Sequence, residues 1–156
     1  MSRYEAMLEY LANCPAMEGV LNFQAAKAEG NAIQITTEGS DSQSNREFID
    51  GSVEKRFDFV VAFFKPVIHI PYQTEKGAGN ANLEGILDVQ GLIDWLNIQN
   101  ANRSYPNFGE KCQIDSIKPM SNEPMLAWID SQHYSPPIAK YTVTVRVEYI
   151  DYTHAI

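Results

Sequence analysis

The fold of this chain is decided by one stretch, Tyr141-Thr142-Val143-Thr144-Val145-Arg146-Val147-Glu148-Tyr149. Every odd position in it is aromatic or β-branched and apolar, whereas the even positions are Thr, Thr, Arg and Glu. Successive side chains of a β-strand point to opposite faces, so this strand has one face for a core and one polar face. Parallel strands are usually buried on both faces, so the alternation predicts an antiparallel sheet. Burying the five odd side chains would contribute roughly 7–15 kcal/mol, at about 1.5–3 kcal/mol each.

A second long strand is predicted from Val53 to about Phe64. Its second half is apolar on both faces, so we expect it to be central in the sheet, or covered by a helix and a subunit neighbour. Just before it, Asp50-Gly51 is the strongest hairpin signal in the chain, and Arg46 to Ile49 reads as the extended partner. The residues predicted to share the core face are Phe57, Phe59, Val61 and Phe63.

Two helices are predicted. The first begins with a capping box, in which Ser2 is the N-cap and Glu5 reaches back to it, and it runs to about Asn13 before Pro15. The second begins at Asn82 and ends between Asn100 and Arg103. Apolar residues at helical spacing are Tyr4, Met7, Leu8 and Leu11 in the first helix, and Leu83, Ile86, Leu87, Val89, Ile93, Leu96 and Trp95 in the second.

The remaining segments are read more coarsely. Residues 16–31 are ambiguous between strand and loop, 32–37 are rich in β-formers, and the polar residues 39–45 predict a mobile loop. Pro66, Pro71 and Gly77-Ala78-Gly79-Asn80 are expected to break regular structure. Lys111 to Ser121 reads as a strand, Glu123 to Ser135 as a connector or an irregular hairpin arm, and Pro136-Pro137 as the approach to the last strand. The order helix, strands, helix, strands predicts one α+β domain over residues 1–156, mainly an antiparallel sheet packed with two helices.

The composition excludes some function classes. The chain has 156 residues and a formal net charge of −8. Nucleic-acid affinity comes largely from basic residues that neutralise phosphates, and here Lys55-Arg56 is only a pair. We therefore expect the chain on average to repel DNA, RNA and anionic membranes. With no leader pattern and no apolar run of about 18 residues, it is expected to stay soluble where it is made.

Residues that could carry chemistry are scattered. Cys14 and Cys112 have no paired spacing for zinc and are expected to be reduced, partly buried thiols. His69 lies in an apolar run, His133 lies near Asp130 without further ligands at short spacing, and His154 lies in the tail. Gly77-Ala78-Gly79-Asn80 only superficially resembles a phosphate loop.

The acidic and aromatic residues do not define a catalytic or ligand-binding site either. The pairs Asp50 with Asp58 and Asp115 with Asp130 are not placed together by the sequence, and charged residues usually lie on solvated faces. The aromatic residues Trp95, Trp128, Tyr105 and Phe108 are read as packing residues. No catalytic, cofactor-binding or metal-binding residue is predicted, and no cofactor.

Three segments taken together resemble one protein family. They are Arg46-Glu47-Phe48-Ile49-Asp50-Gly51-Ser52 with Lys55-Arg56-Phe57-Asp58-Phe59, then Leu92-Ile93-Asp94-Trp95-Leu96-Asn97-Ile98-Gln99-Asn100, then Ala139-Lys140-Tyr141 to Val147-Glu148-Tyr149. Their order and spacing over residues 44–151 resemble the tail terminator, or tail completion, proteins of phages and prophages of Gram-positive bacteria. Members are often labelled minor capsid or tail proteins, and sometimes carry a chloramphenicol-resistance label. The chain departs from the family pattern at 65–81 and 120–134.

The resemblance implies an α+β subunit that forms a ring, usually a hexamer, on the head-proximal end of the tail tube. Such a ring stops tube polymerisation, joins the tube to the neck and, in a contractile tail, meets the sheath. The protein would then be located in the virion tail or a tail-like particle, after assembly in the bacterial cytoplasm. DNA would pass through the lumen without specific binding, which suits an acidic chain.

Two alternatives stay open at this point. One is another neck or head–tail connector protein, which would share the size and the lack of catalytic motifs. The other is a small-molecule-modifying enzyme, as the resistance label would suggest, which would need a placed general base and a cofactor groove.

Overall fold

The computed structural model describes residues 2–17, 21–23, 33–37, 46–66, 68–74, 77–81, 83–130, 132 and 138–155. The predicted mobile loop at 39–45, Asn82 and His133 lie outside these residues. The elements, in chain order, are α1 (Arg3–Leu11), β1 (Leu21–Phe23), β2 (Ile33–Thr37), β3 (Arg46–Glu47), β4 (Val53–Pro66), β5 (Ile68–Thr74), β6 (Gly77–Ala81), α2 (Leu83–Ala101), β7 (Cys112–Pro119), β8 (Met125–Asp130) and β9 (Ile138–Asp151). The predicted α+β class is confirmed, with the strands mainly antiparallel and both helices in place.

The centre of the sheet is an antiparallel ribbon of β4 and β9. Their register runs without interruption from the pair Val53–Asp151 to the pair Pro66–Ile138. The strand order is β1-β2-β4-β9-β7, with β3 also paired to β4 and β8 also paired to β9. Only the pairing of β1 with β2 is parallel within this sheet. The predicted central position of β4 is therefore confirmed.

The predicted alternation of β9 is also confirmed. Its odd positions from Tyr141 to Tyr149 are at most 3% exposed, while the even positions Thr142 to Glu148 are half-buried. The odd face of β4 joins the same core, and Phe59, Val61 and Phe63 have no exposed surface. On the opposite face of β4, Ala62 and Phe64 are also buried, as expected from its two-sided apolar half.

Helix α1 begins at the predicted cap, where the Ser2 hydroxyl oxygen accepts a hydrogen bond from the Glu5 backbone N–H at 3.2 Å. It ends at Leu11, slightly before the expected Asn13. Two turns follow, in which the backbone N–H of Asn13 donates to the Tyr10 carbonyl and that of Cys14 donates to the Leu11 carbonyl. Its core residues are Ala6, Met7, Tyr10 and Leu11.

Helix α2 ends inside the predicted range and packs on the same core, but its predicted apolar face is only partly right. Val89, Leu92, Ile93 and Leu96 are buried, whereas Ile86 and Leu87 are 39% and 58% exposed. This helix carries apolar residues on nearly every side, so the periodicity did not distinguish the inner face from the outer one.

The Asp50-Gly51 hairpin is confirmed. Glu47 pairs with Val53, and the connection between them is closed by hydrogen bonds from Phe48 N–H to the Ser52 carbonyl (2.8 Å) and from Gly51 N–H to the Phe48 carbonyl (3.0 Å). Gly51 has φ = 87°, in the left-handed region that favours glycine. The connection is longer than the two-residue loop that Asp-Gly most often forms.

One prediction of irregular structure is wrong. The segment with Pro71 and the glycines forms β5 and β6, which pair antiparallel as a separate two-stranded sheet. Both strands are edges there, and the register shifts between Ile68 and Pro71, where a missing N–H is tolerated.

Two predictions for the later part of the chain are confirmed. The strand predicted at 111–121 is β7. Of the two alternatives for 123–135, the structure has the irregular hairpin arm: β8 pairs antiparallel with β9, and the register shifts between Leu126 and Trp128.

The alternation in β9 generates a prediction for stability. Val145 has no exposed surface, so Val145→Asp should lower the free energy of unfolding by about 3–5 kcal/mol, because an unpaired carboxylate would be buried. Thr144→Asp is the matched control, since the neighbouring side chain lies on the half-buried face and should cost less than about 1 kcal/mol. Denaturant unfolding of both variants checks this, and equal midpoints would contradict the facing of β9.

A second prediction concerns the two glycines with positive φ. A Cβ at Gly51 would lie 2.7 Å from the backbone carbonyl oxygen of His154, whereas a Cβ at Gly109 (φ 106°) would meet nothing within 4 Å. Gly109→Ala should therefore cost about 1 kcal/mol of backbone strain, and Gly51→Ala about 2–3 kcal/mol, since the C-terminal turn must also move. Thermal unfolding of the two variants measures the difference, and an equal loss would show that the tail does not press on the hairpin.

Candidate functional site

Strand β8 is the most exposed apolar strand among those whose side-chain burial the structure describes. It lies at one edge of the sheet and is hydrogen-bonded to β9 on one side only among the described residues. The exposed fractions of its large side chains are 60% for Met125, 52% for Leu126, 36% for Trp128 and 51% for Ile129. An edge strand presents a row of backbone donors and acceptors that another strand can bind. We call the outer side of β8, with these four side chains, the β8 edge.

The position of the β8 edge follows from the way β7 and β8 share one side of β9. Pro119 pairs with Val145, and Met125 pairs with Thr142, so the segment 120–124 bulges out opposite only two residues of β9. The bulge is held by the Met120 N–H donating to the Thr144 carbonyl at 2.8 Å and by Ser121, whose hydroxyl donates to the Glu123 carbonyl at 2.8 Å. The chain therefore returns to β9 as a new edge strand beyond β7.

On the helix side of the sheet, α2 does not cover this edge. Leu126 and Ile129 pair with Tyr141 and Ala139, so they are on the same face as the core, yet half of each side chain is exposed. Lys65, in the same row as Ala139, forms an ion pair with Asp88 at 2.7 Å and fixes the N-terminal half of α2 there. Ile86 and Leu87, in the same half of α2, are also exposed.

On the other side, Trp128 is held by a neighbour in the sheet. Its ring lies 5.9 Å from the ring of Phe64, and the ammonium of Lys140 lies 5.7 Å from the Phe64 centroid. Phe64 is itself buried, so the indole rests on a fixed base. Aromatic side chains held in this way lose little conformational entropy when a partner binds them.

The polar face of the ribbon contains a buried ion pair. Arg146 donates two hydrogen bonds to Asp58, from Nε to Oδ1 at 2.9 Å and from Nη2 to Oδ2 at 3.1 Å, and Asp58 is 5% exposed. The Nε of Arg56 lies 3.6 Å from the same carboxylate and, though buried, has no hydrogen-bond partner among the described residues. Asp58 and Arg146 are direct partners in the β4–β9 ladder, so the pair is well placed to fix the register.

A second surface feature lies at the opposite end of the ribbon, beside the hairpin. It is an open groove of about 490 Å³, lined by Phe48, Ile49, Asp50, Ser52, Ile150 and Tyr152. Ile49 is fully exposed, and the Asp50 carboxylate accepts hydrogen bonds from the Ser52 backbone N–H (2.9 Å) and hydroxyl (2.6 Å). These bonds, most strongly that of the Ser52 hydroxyl, hold the pKa of Asp50 below its usual value. The Asp50 carboxylate and the Ser52 hydroxyl of the groove are bonded to each other, and the Tyr152 hydroxyl donates to the Gln113 side-chain oxygen at 3.2 Å.

The described residues place the histidines and cysteines considered for catalysis on separate elements. His69 lies in β5, His133 lies outside the described residues, and His154 is exposed in the C-terminal turn. Both cysteines are free thiols, Cys14 buried and Cys112 half-buried. Burial raises the pKa of each thiol, which disfavours the reactive thiolate.

The candidate carboxylate pairs are separated by the strand register. Asp50 lies in the hairpin turn and Asp58 is bonded to Arg146 well along β4. Asp115 lies in the bulge of β7 opposite the far part of β9, whereas Asp130 pairs with Ile138. The glycines of Gly77-Ala78-Gly79-Asn80 lie within the ladder of β6, and do not form a loop between a strand and a helix.

The predicted packing residues behave as expected in three of four cases. Trp95, Tyr105 and Phe108 are partly buried against the core, and the Trp95 ring lies 5.0 Å from that of Tyr10. Trp128 belongs instead to the β8 edge. Its run Met125-Leu126-Ala127-Trp128-Ile129 did carry a strand signal, since it is short, apolar and flanked by turn residues, but nothing in it distinguished an exposed edge from a core strand.

Two further observations concern the described part of the chain. No group of three or more His, Cys, Asp or Glu residues within it is placed to hold a metal ion. None of its helices combines the length and the apolar character that crossing a membrane requires.

Comparison with known proteins gives no assignment. No protein-family model matches the chain, and no curated protein matches it.

The C-terminal end of the ribbon yields a pH prediction. Although desolvation opposes ionisation of Asp151, hydrogen bonds from Thr153 and from the Lys55 ammonium (2.9 Å) lower its pKa to about 2. A depressed folded-state pKa stabilises the fold above the unfolded pKa of about 3.9, and this stabilisation is lost as the pH falls through about 2.

Asp151→Asn should therefore lower the free energy of unfolding by up to about 1 kcal/mol at pH 6, with the gap closing between pH 4 and pH 2. Denaturant unfolding at a series of pH values measures the gap, and Asp115→Asn, an exposed carboxylate on the neighbouring strand, controls for the change in net charge. A gap that stays constant down to pH 2 would refute the role of the ionised carboxylate.

Proposed function

We propose that this protein is a structural subunit of a phage tail: a terminator that forms a ring, a hexamer by family resemblance, on the head-proximal end of the tail tube. The ring stops tube polymerisation and joins the tube to the neck, and it meets the sheath if the tail is contractile. The observation that carries the proposal is the β8 edge, an apolar strand left uncovered in a chain of net charge −8. Such a strand is an aggregation hazard in a free monomer and is suited to a permanent protein neighbour.

The three segments that resemble the tail terminator family support the proposal in a specific way. In this chain they form the Asp50-Gly51 hairpin with the start of β4, the C-terminal half of α2 and the strand β9. Within α2, the Asn100 side-chain carbonyl accepts a hydrogen bond from the Ile117 N–H at 3.1 Å, which joins the helix to β7. The motif residues thus hold the scaffold together, as expected for a family defined by an architecture and not by a catalytic centre.

The negative net charge of the chain is consistent with a ring through which DNA passes. A ring of six copies would carry a net charge of about −48, and a lumen of the same sign as the phosphates favours passage without specific binding. On this proposal the partners are further copies of the chain, the tube protein, the neck or head-completion protein and, in a contractile tail, the sheath. The protein would act in the virion tail, or in a tail-like particle, after assembly in the bacterial cytoplasm.

Deletion of the gene tests the proposal. Without the subunit, tubes should grow to irregular lengths and therefore fail to join the neck, and electron micrographs of lysates measure both. Complementation with His69→Ala or with His133→Ala should restore normal particles, because the proposed role needs no general base.

The other outcomes separate the rival functions. Tubes of normal length that lack heads would favour a different neck component. Particles of normal length and normal attachment would reject the structural role. Failure of a histidine variant that folds normally would favour an enzyme instead.

A further inference from the structure

We infer that the β8 edge is the docking site for a second copy of this chain, which adds β1, the strand at the opposite end of the sheet among the described residues, alongside β8. The sheet would then continue from one subunit into the next. This inference rests on the proposed function, since a closed ring requires two different surfaces that fit each other, one on each side of the subunit.

The β8 edge lacks most of the devices that keep exposed strands from pairing. Natural edges are protected by lysines, prolines, inward charges, β-bulges or a covering segment. Strand β8 contains neither lysine nor proline, and its one charge, Asp130, lies at its end. A register shift lies between Leu126 and Trp128 and leaves Trp128 to Asp130 in regular pairing with β9. That regular segment equals β1, Leu21–Phe23, in length.

The size of the apolar surface matches what a stable contact needs. The four large side chains of the β8 edge, each between a third and three fifths exposed, leave on the order of 400 Å² of apolar surface around one strand. A stable interface buries about 800 Å² on each partner, of which a little over half is apolar. The β8 edge would therefore supply nearly all of the apolar share on its side.

The strand directions favour the same partner. Strand β8 runs antiparallel to β9, as β4 does, while β2 runs antiparallel to β4 and β1 runs parallel to β2. If the sheet continues in the same sense into the next subunit, β1 of that subunit runs opposite to β8. The new ladder would be antiparallel, which is the commoner arrangement in sheets.

Charge also directs copies of this chain to the β8 edge. Two subunits of net charge −8 repel each other over most approaches, and repulsion is weakest where the facing surfaces carry least charge. The run from Met125 to Ile129 is uncharged. Contact at an uncharged apolar strand therefore allows the intended pairing while the acidic remainder of the surface suppresses others.

Chemical cross-linking tests the contact directly. The variant with Ala127→Cys in β8 and Asn22→Cys in β1 is treated with a short bismaleimide, both as concentrated purified protein and in intact particles. We expect a ladder of dimer, trimer and higher products in at least one sample. Ala127→Cys alone and Asn22→Cys alone should give no more product than the wild type, whose Cys14 and Cys112 are buried and half-buried.

Two results would overturn the inference. A strong dimer without higher products from Ala127→Cys alone would show that β8 pairs with β8 of another copy about a two-fold axis. No ladder in either sample would show that the neighbour of β8 is not β1 of a second copy.

A matched pair of surface variants tests the energetics. Leu126→Lys places a protecting charge on the β8 edge, and Ile98→Lys changes a side chain of nearly equal exposure (52% and 55%) on the far half of α2. Leu126→Lys should reduce cross-linking of the double-cysteine variant at least about tenfold, while Ile98→Lys should leave it unchanged. Both variants should have the melting temperature of the parent protein. Equal cross-linking in the two variants would overturn the role of the β8 edge.

The cross-linking tests and the deletion experiment can each reject one hypothesis without the other. A ladder in purified protein together with normal tails after deletion would retain the strand contact and reject the terminator role. Irregular tails after deletion that Leu126→Lys fully complements would retain the terminator role and reject the contact.

Discussion

The structure depends on the unbroken antiparallel ladder between β4 and β9. Every residue from Val53 to Pro66 has a partner on β9, so a slip by one position would turn both core faces toward solvent. The buried pair of Asp58 and Arg146 opposes such a slip, because each charge would lose its partner and its hydrogen bonds. Both helices and all of the flanking strands in this sheet take their positions from the ribbon.

The helices cover the core face of the ribbon, but they leave part of the sheet edge exposed. On the odd face, α1 and α2 seal the core: the Arg3 guanidinium donates to the Tyr149 hydroxyl at 2.8 Å, and the Tyr10 hydroxyl donates to the Ser104 carbonyl at 2.7 Å. Burial raises the pKa of Tyr10, so that hydroxyl remains a donor over the whole physiological range. Along the edge, by contrast, β7 is covered by α2, whereas Met125, Leu126 and Ile129 of β8 stay half or more exposed while the Trp128 ring packs on Phe64.

Most of the fold was predictable because its signals are local. The alternation in β9, the Ser2 cap and the Asp50-Gly51 turn each depend on a few neighbouring residues, and each is confirmed. The errors come from long-range context. A proline and glycines form β5 and β6 because they pair with each other, and Leu87 is exposed because α2 is apolar all round. The β8 edge was missed for the same reason, since an apolar pentapeptide does not reveal whether a helix will cover it.

The contrast between an acidic surface and one uncharged apolar strand bears on the proposed role. On the proposed role, a subunit must remain soluble as a monomer before assembly. It must also bind the next subunit at one defined surface. Net charge provides the first property, and an edge strand provides the second, because its backbone groups bind only a partner in the correct direction and register. For a free monomer, one lysine in β8 would protect the edge against aggregation. For the proposed ring, the same lysine would oppose the contact between subunits, and β8 contains none. The proposed role therefore accounts for an edge strand that is left without a protecting charge.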